Sequence, residues 1–69
     1  MIDLNDVFYL AVVRNDNGNR TTDVIVISWY EDLVSQLAHA ELALTCRTRE
    51  EAEDFCAEQT VHILLGHYD

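Results

Sequence analysis

The stretch VFYLAVVRNDNGNRTTDVIVI, residues 7–27, decides the fold because it holds two apolar runs on either side of an Asn-Gly pair. Runs rich in branched and aromatic side chains favour β-strands. Asn17 and Gly18 supply the positive φ angles that a tight reversal of the chain needs. We therefore predict a β-hairpin with strands at residues 7–13 and 24–27.

Both faces of the first predicted strand are apolar. One face carries Val7, Tyr9, Ala11 and Val13, and the other carries Phe8, Leu10 and Val12. A strand with one face in water is expected to alternate apolar and polar residues. Either helices therefore cover both faces, or one face is buried against a second copy of the chain or another partner.

A first helix is predicted directly after the hairpin. Ser28 and Glu31 have the spacing of a capping box, in which the serine caps the helix start and the glutamate reaches back. Apolar residues then recur at helical spacing, which predicts a helix from about residue 29 or 30 to about residue 42. The pattern leaves Leu42–Cys46 open as an extension of this helix or as a short strand.

A second helix is predicted from a second capping box, Thr48 with Glu51. On a helical projection Ala52, Phe55 and Cys56 share an apolar face. Branched and aliphatic residues at positions 60–65 then predict a final strand. This order indicates one α+β domain, residues 1–69, with helices packed on an antiparallel or mixed sheet.

The composition is strongly acidic. Thirteen Asp and Glu residues face four arginines and no lysine, so the formal net charge is −9 over 69 residues. Such a field repels nucleic acid and anionic membranes and attracts basic protein surfaces. Because a nucleic-acid binder needs a basic stripe that displaces counterions from phosphates, we expect neither nucleic acid nor a membrane as a direct partner.

The two cysteines indicate a reducing compartment. Cys46 and Cys56 are ten positions apart and form no CxxC pair. The first residues lack the basic and apolar segments of a signal peptide. We therefore expect reduced thiols in a cytoplasm, with Cys56 as a small core residue on the apolar side of its helix.

No set of residues predicts catalysis or a cofactor. The histidines, His39, His62 and His67, lack the HExxH spacing, and the cysteines do not bracket a histidine in a zinc pattern. On a straight strand, His62 and His67 point to opposite faces. The two glycines form no phosphate loop. We therefore predict that the protein is not an enzyme and holds no metal or cofactor.

The segment TREEAEDFCAEQ, residues 48–59, carries five carboxylates. On the predicted helix Glu50, Asp54 and Glu58 form a row opposite the apolar face, which we call the acidic ridge, and Glu51 and Glu53 flank it. Residues four apart rise about 6 Å along an ideal helix, which is similar to the direct distance between neighbouring phosphates of one DNA strand. Measured along the duplex axis, the phosphates of one strand are about 3.4 Å apart.

Two interpretations of the acidic ridge compete. A solvated helix face needs no partner, and acids in a first turn stabilise the helix dipole. However, like-charge pairs four apart cost about 0.2–0.5 kcal/mol each, and a helix selected only for stability would mix its charges. The retained repulsion favours a surface that binds a basic protein. Glu31 and Asp32 extend this candidate surface, and Asp16 and Asp23 near the hairpin can widen it.

In size, acidity, compact α+β pattern and lack of catalytic residues, the sequence resembles the small phage-encoded inhibitors of bacterial defence. Within that group it is most similar to anti-CRISPR proteins that act as DNA mimics. The resemblance covers the whole chain and rests on no motif, so no residue role is carried over. It implies a cofactor-free inhibitor on the DNA-binding or PAM-reading surface of a CRISPR effector complex, in the cytoplasm of an infected or host bacterium. Acidic mimics directed at restriction enzymes or other nucleases share this character.

Two other functions fit the sequence. In the first, the protein is a small homodimeric structural or assembly module, in which the apolar hairpin forms the interface and the acidic surface serves only solubility. In the second, it is a small enzyme or metal-binding regulator that uses His62, His67 and a cysteine.

Overall fold

A computed structural model describes residues 3–68, which form an antiparallel three-stranded sheet and two helices. The elements are β1 (Asp3–Asp16), β2 (Asn19–Trp29), α1 (Tyr30–Ala38), β3 (Leu42–Cys46) and α2 (Arg49–Leu64). β1 is the central strand, with β2 on one side and β3 on the other. The predicted α+β class is confirmed.

The predicted hairpin is confirmed. Asp16 pairs with Asn19, which leaves Asn17 and Gly18 as a two-residue loop. Their φ angles are 53° and 88°, the pair of positive values that defines the type I′ turn favoured between twisted strands. The side-chain oxygen of Asn15 accepts a hydrogen bond from the Gly18 amide at 2.8 Å. Both strands are longer than the apolar runs, because polar residues beside the turn also pair.

The first helix differs from its prediction at both ends. Ser28 lies in β2 and does not cap the helix; Trp29 occupies the N-cap position and makes no side-chain capping bond. The helix also ends earlier than predicted, at Ala38.

The segment that follows α1 is a strand rather than more helix. The Glu41 amide donates to the Val13 carbonyl at 2.8 Å, and Leu42–Cys46 then pairs with β1 as β3. Hydrogen bonding to the open edge of β1 is a long-range interaction, and it resolves the ambiguity that the local pattern left.

One helix packs on each face of the sheet, α2 against β1 and β2 and α1 mainly against β2. On one face, residues of β1, β3 and α2 form a buried cluster: Ala11, Cys46, Ala52 and Cys56. On the other face, Leu33 of α1 packs against a second buried cluster: Leu10, Val12 and Ile27. Residues 10–13 of β1 consequently have 0% exposure. Of the two explanations for the apolar strand, coverage by helices on both faces is therefore the one observed.

The second helix is longer than predicted, and the final strand predicted at residues 60–65 is wrong. α2 continues through this segment to Leu64 and ends in a Schellman motif. In that motif the Gly66 amide donates to the Ile63 carbonyl at 3.1 Å, and the His67 amide donates to the His62 carbonyl at 2.9 Å. Gly66 has φ of 77°, the left-handed conformation that ends the helix.

We expect Gly66→Ala to lower the free energy of unfolding by about 1–2 kcal/mol, because a Cβ disfavours the left-handed conformation. No neighbouring atom lies within 4 Å of the position of that Cβ, so the loss comes from backbone strain alone. Chemical denaturation followed by circular dichroism measures it. Gly66→Asn is the control and loses less, because asparagine tolerates this conformation. Equal losses in the two variants would contradict the explanation.

Candidate partner-binding surface

The acidic ridge is fixed in place by the buried side of α2. Thr48 caps the helix, and its hydroxyl accepts a hydrogen bond from the Glu51 amide at 3.2 Å, which confirms the predicted second helix start. Ala52 and Cys56 are buried against the sheet and Phe55 packs beside them. The opposite side of α2 therefore faces solvent, and all five predicted carboxylates on it are exposed: Glu50, Glu51, Glu53, Asp54 and Glu58.

Few positive charges of the chain itself lie near these carboxylates. Arg49 Nε is 3.5 Å from Glu53 Oε1, with both side chains about 60% exposed, and an exposed pair of this kind contributes little to stability. His62 Nε2 is 3.8 Å from Glu58 Oε1 and is charged only when protonated. Among residues 3–68, no ion pair involves Glu50, Glu51 or Asp54. Most of the negative charge on α2 is therefore not neutralised internally.

Two other arginines pair with acids away from α2's ridge. Arg20 Nε lies 2.8 Å from a carboxylate oxygen of Glu41. Arg14 lies 3.3 Å from Asp23 and also donates to Gln36 at 2.7 Å. Arg14 thus partly neutralises Asp23, which adds little to the candidate surface. Asp16, the other predicted acid near the hairpin, is exposed at the turn.

The structure does not place all seven predicted surface residues on one layer. Glu31 and Asp32 lie in the first turn of α1, which packs on the opposite face of the sheet from α2. However, β2 and β3 are both antiparallel to β1, so they run parallel to each other and finish at the same end of the sheet. Both helices start at that end of the sheet, so their acidic first turns lie at the same end of the molecule.

The cysteines are free, buried thiols. Burial, and secondarily the nearby Glu51 carboxylate, raises the pKa of Cys46, which borders a shallow depression lined by Phe8, Thr45 and Arg47. Burial and then Asp23 raise the pKa of Cys56. Both thiols therefore stay protonated at neutral pH, which opposes a role as nucleophile. The burial of Cys56 in the α2 cluster agrees with its predicted core position.

The structure places two histidines together that the sequence prediction had separated. His62 Nδ1 and His67 Nδ1 are 2.8 Å apart. The prediction assumed a strand, in which residues five apart point to opposite faces. In the Schellman motif these two residues are the two positions whose side chains commonly touch across the helix end. Gly66 was the sequence signal for that motif.

No protein-family model matches the sequence, and no curated protein or solved structure is significantly similar to it. Within the described chain, no helix is long and apolar enough to cross a membrane. Function must therefore be inferred from the geometry and charge of the surface.

We expect both cysteines to react with iodoacetamide at least roughly tenfold more slowly in the native protein than in concentrated guanidinium. Burial restricts access of the reagent to the sulfur, and the raised pKa lowers the fraction of each thiol that is present as thiolate. Mass spectrometry of peptides from quenched time points measures each site separately. A native rate at Cys46 equal to the unfolded rate would instead support the alternative of a small enzyme that uses a cysteine.

Proposed function

We propose that this protein is a non-enzymatic inhibitor that binds the basic nucleic-acid-binding surface of a partner protein by imitating DNA. In particular, we propose an anti-CRISPR protein that prevents a CRISPR effector complex from binding its target DNA. The observation that carries the proposal is the exposed carboxylate row on α2, most of which has no internal counter-charge.

The charge density of α2 supports this proposal. Five carboxylates and Arg49 leave a net charge of −4 over residues 49–58, which span roughly 13 Å of helix axis. One negative charge therefore falls every ~3.4 Å, about the value for one strand of DNA. A groove lined with lysine and arginine to hold a phosphate backbone is complementary to this helix.

The rigidity of α2 also supports it. The helix is held on the sheet by Ala52, Phe55 and Cys56 and is capped at its start by Thr48. The backbone that carries the carboxylates therefore does not have to be ordered when a partner binds, which lowers the entropic cost of association. The repulsion between like charges within α2 costs only about 0.2–0.5 kcal/mol per pair.

The acids at the starts of both helices extend the surface around one end of the sheet. Glu50 and Glu51 on α2 and Glu31 and Asp32 on α1 lie at that end. A partner with a cleft, rather than a flat basic patch, contacts both layers. Opposite charge on the two proteins accelerates association, which then slows with added salt.

A homodimeric assembly module is the second candidate, and one observation favours it. Tyr30, Val34 and Leu37 lie along one side of α1 and are each 47–48% exposed. The original reason for this candidate, the doubly apolar hairpin, no longer requires a second copy, because α1 and α2 cover both faces. Sedimentation equilibrium tests it: a monomer at all concentrations excludes the obligate dimer.

We expect Glu50→Lys/Asp54→Lys/Glu58→Lys to abolish inhibition of DNA binding by the target effector complex, because the ridge then repels the basic groove. Electrophoretic mobility shift of target DNA, across a panel of effector complexes, measures it. Circular dichroism is expected to show an unchanged fold, since all three side chains are exposed.

A matched pair of single variants separates local from overall charge. Asp54→Lys and Asp16→Lys change the net charge equally, but Asp16 lies beside the hairpin turn and, by the alternation of β1, on the face of the sheet opposite α2. We expect Asp54→Lys to weaken inhibition at least about tenfold, as a desolvated charge pair of 1.4 kcal/mol or more would give, and Asp16→Lys to change it little. Full inhibition by the triple variant would show that the ridge is not the binding surface.

A further inference from the structure

The two imidazoles at the end of α2 form a pair that the proposed inhibitory function does not use. His62 Nδ1 and His67 Nδ1 are 2.8 Å apart, and the ring centroids are 5.0 Å apart with the planes tilted by 41°. At this separation one nitrogen carries a proton and the other accepts it. The pair therefore presents two nitrogen ligands of the same type at one point on the surface.

We propose that His62 and His67 form a binding site for a divalent transition-metal ion of the nickel, copper and zinc group. Imidazole nitrogen is a preferred ligand of these ions. Metal–nitrogen bonds of about 2.0–2.1 Å require the two nitrogens to be about 2.9 Å apart for a right angle at the ion and about 3.3 Å for a tetrahedral angle. The observed 2.8 Å lies close to both values.

The rings can reach this arrangement with a small movement. They now meet nearly head-on, with the shared proton between the nitrogens, and a rotation of each ring turns both lone pairs toward a common point. His67 is exposed and the His62 side chain is 38% exposed, so solvent reaches both rings and the fold encloses neither. The proton on Nδ1 of one ring moves to its own Nε2 through solvent, which makes both Nδ1 atoms available to the ion.

Glu58 supplies a second, independent feature of a metal site. Its Oε1 is 3.8 Å from His62 Nε2, on the side of the ring away from His67. A metal-binding histidine commonly donates its other N–H to a carboxylate, which fixes the tautomer and raises the basicity of the ligand. Glu58 is placed to do this once His62 carries its proton on Nε2.

The surroundings leave room for the rest of the coordination shell. The histidines line an open depression together with Leu42, Gln59 and Tyr68. The Gln59 side-chain oxygen accepts a hydrogen bond from the Tyr68 hydroxyl. Among residues 3–68, no group of three or more His, Cys, Asp or Glu side chains surrounds a possible ion. The ion is therefore held by two protein ligands, and water completes its shell.

Metal binding would fasten the C-terminal turn to α2. His67 follows Gly66 in the Schellman motif, whereas His62 belongs to the last turns of the helix. An ion bound to both residues closes this turn, and a ligand that binds the native state more tightly than the unfolded chain stabilises the native state by mass action.

Isothermal titration of untagged protein with NiCl₂, CuCl₂ and ZnCl₂ tests the proposal. We expect one ion per chain, with Cu²⁺ bound most tightly and Mg²⁺ not bound. His62→Gln and His67→Gln are each expected to weaken binding at least about tenfold, the lower end of losses from metal-site substitutions. His39→Gln, at the end of α1, is the matched control and is expected to bind as the parent does.

A second measurement keeps the test independent of any change in folding. In proton NMR spectra of the parent protein, substoichiometric Cu²⁺ is expected to broaden the imidazole signals of His62 and His67 and to spare those of His39. The absence of one-to-one binding, or equal broadening at all three histidines, would overturn the proposal. Neither result bears on the acidic ridge, which is tested by inhibition.

Discussion

The central position of β1 is the constraint on which the rest of the structure depends. Residues 10–13 have no polar side chain, and all four are completely buried. A strand of this kind needs hydrogen-bonded neighbours on both edges and an apolar layer on both faces. β2 and β3 supply the edges, and α1 and α2 supply the faces. Because β2 and β3 run parallel, both helices start at the same end of the sheet, and their acidic first turns lie at that end on opposite faces.

Local features of the sequence predicted the elements whose ends are set locally. The Asn17-Gly18 pair identified the turn, and Thr48 identified the start of α2. The end of α1 was not predictable in this way, because it depends on the pairing of β3 with an edge of β1 that lies far away in sequence. The final strand was predicted wrongly because branched residues favour strands only weakly, while a helix already begun continues until a stop signal such as Gly66.

The part of the candidate surface that lies on α2 could be predicted from the sequence because α2 itself was predicted. The five carboxylates of α2 needed only the helical period, and they are all exposed on one side. The position of Glu31 and Asp32 relative to them depends on which face of the sheet α1 covers, and no local pattern contains that information. The histidine pair required the correct ending of α2, so the error in the final strand also concealed His62 and His67.

The two proposed sites lie on one helix and interact through charge. Positions 50, 54, 58 and 62 follow one another at intervals of four, so His62 is the next residue along the row that forms the acidic ridge. Glu58 belongs to that ridge and also lies beside His62. A divalent ion on the two imidazoles adds two positive charges within one turn of Glu58, where screening by salt is incomplete because the separation is below the Debye length of about 8–10 Å. A metal-loaded site would therefore lower the attraction of α2 for a basic partner, whereas an empty site would leave the field of the acidic ridge unchanged.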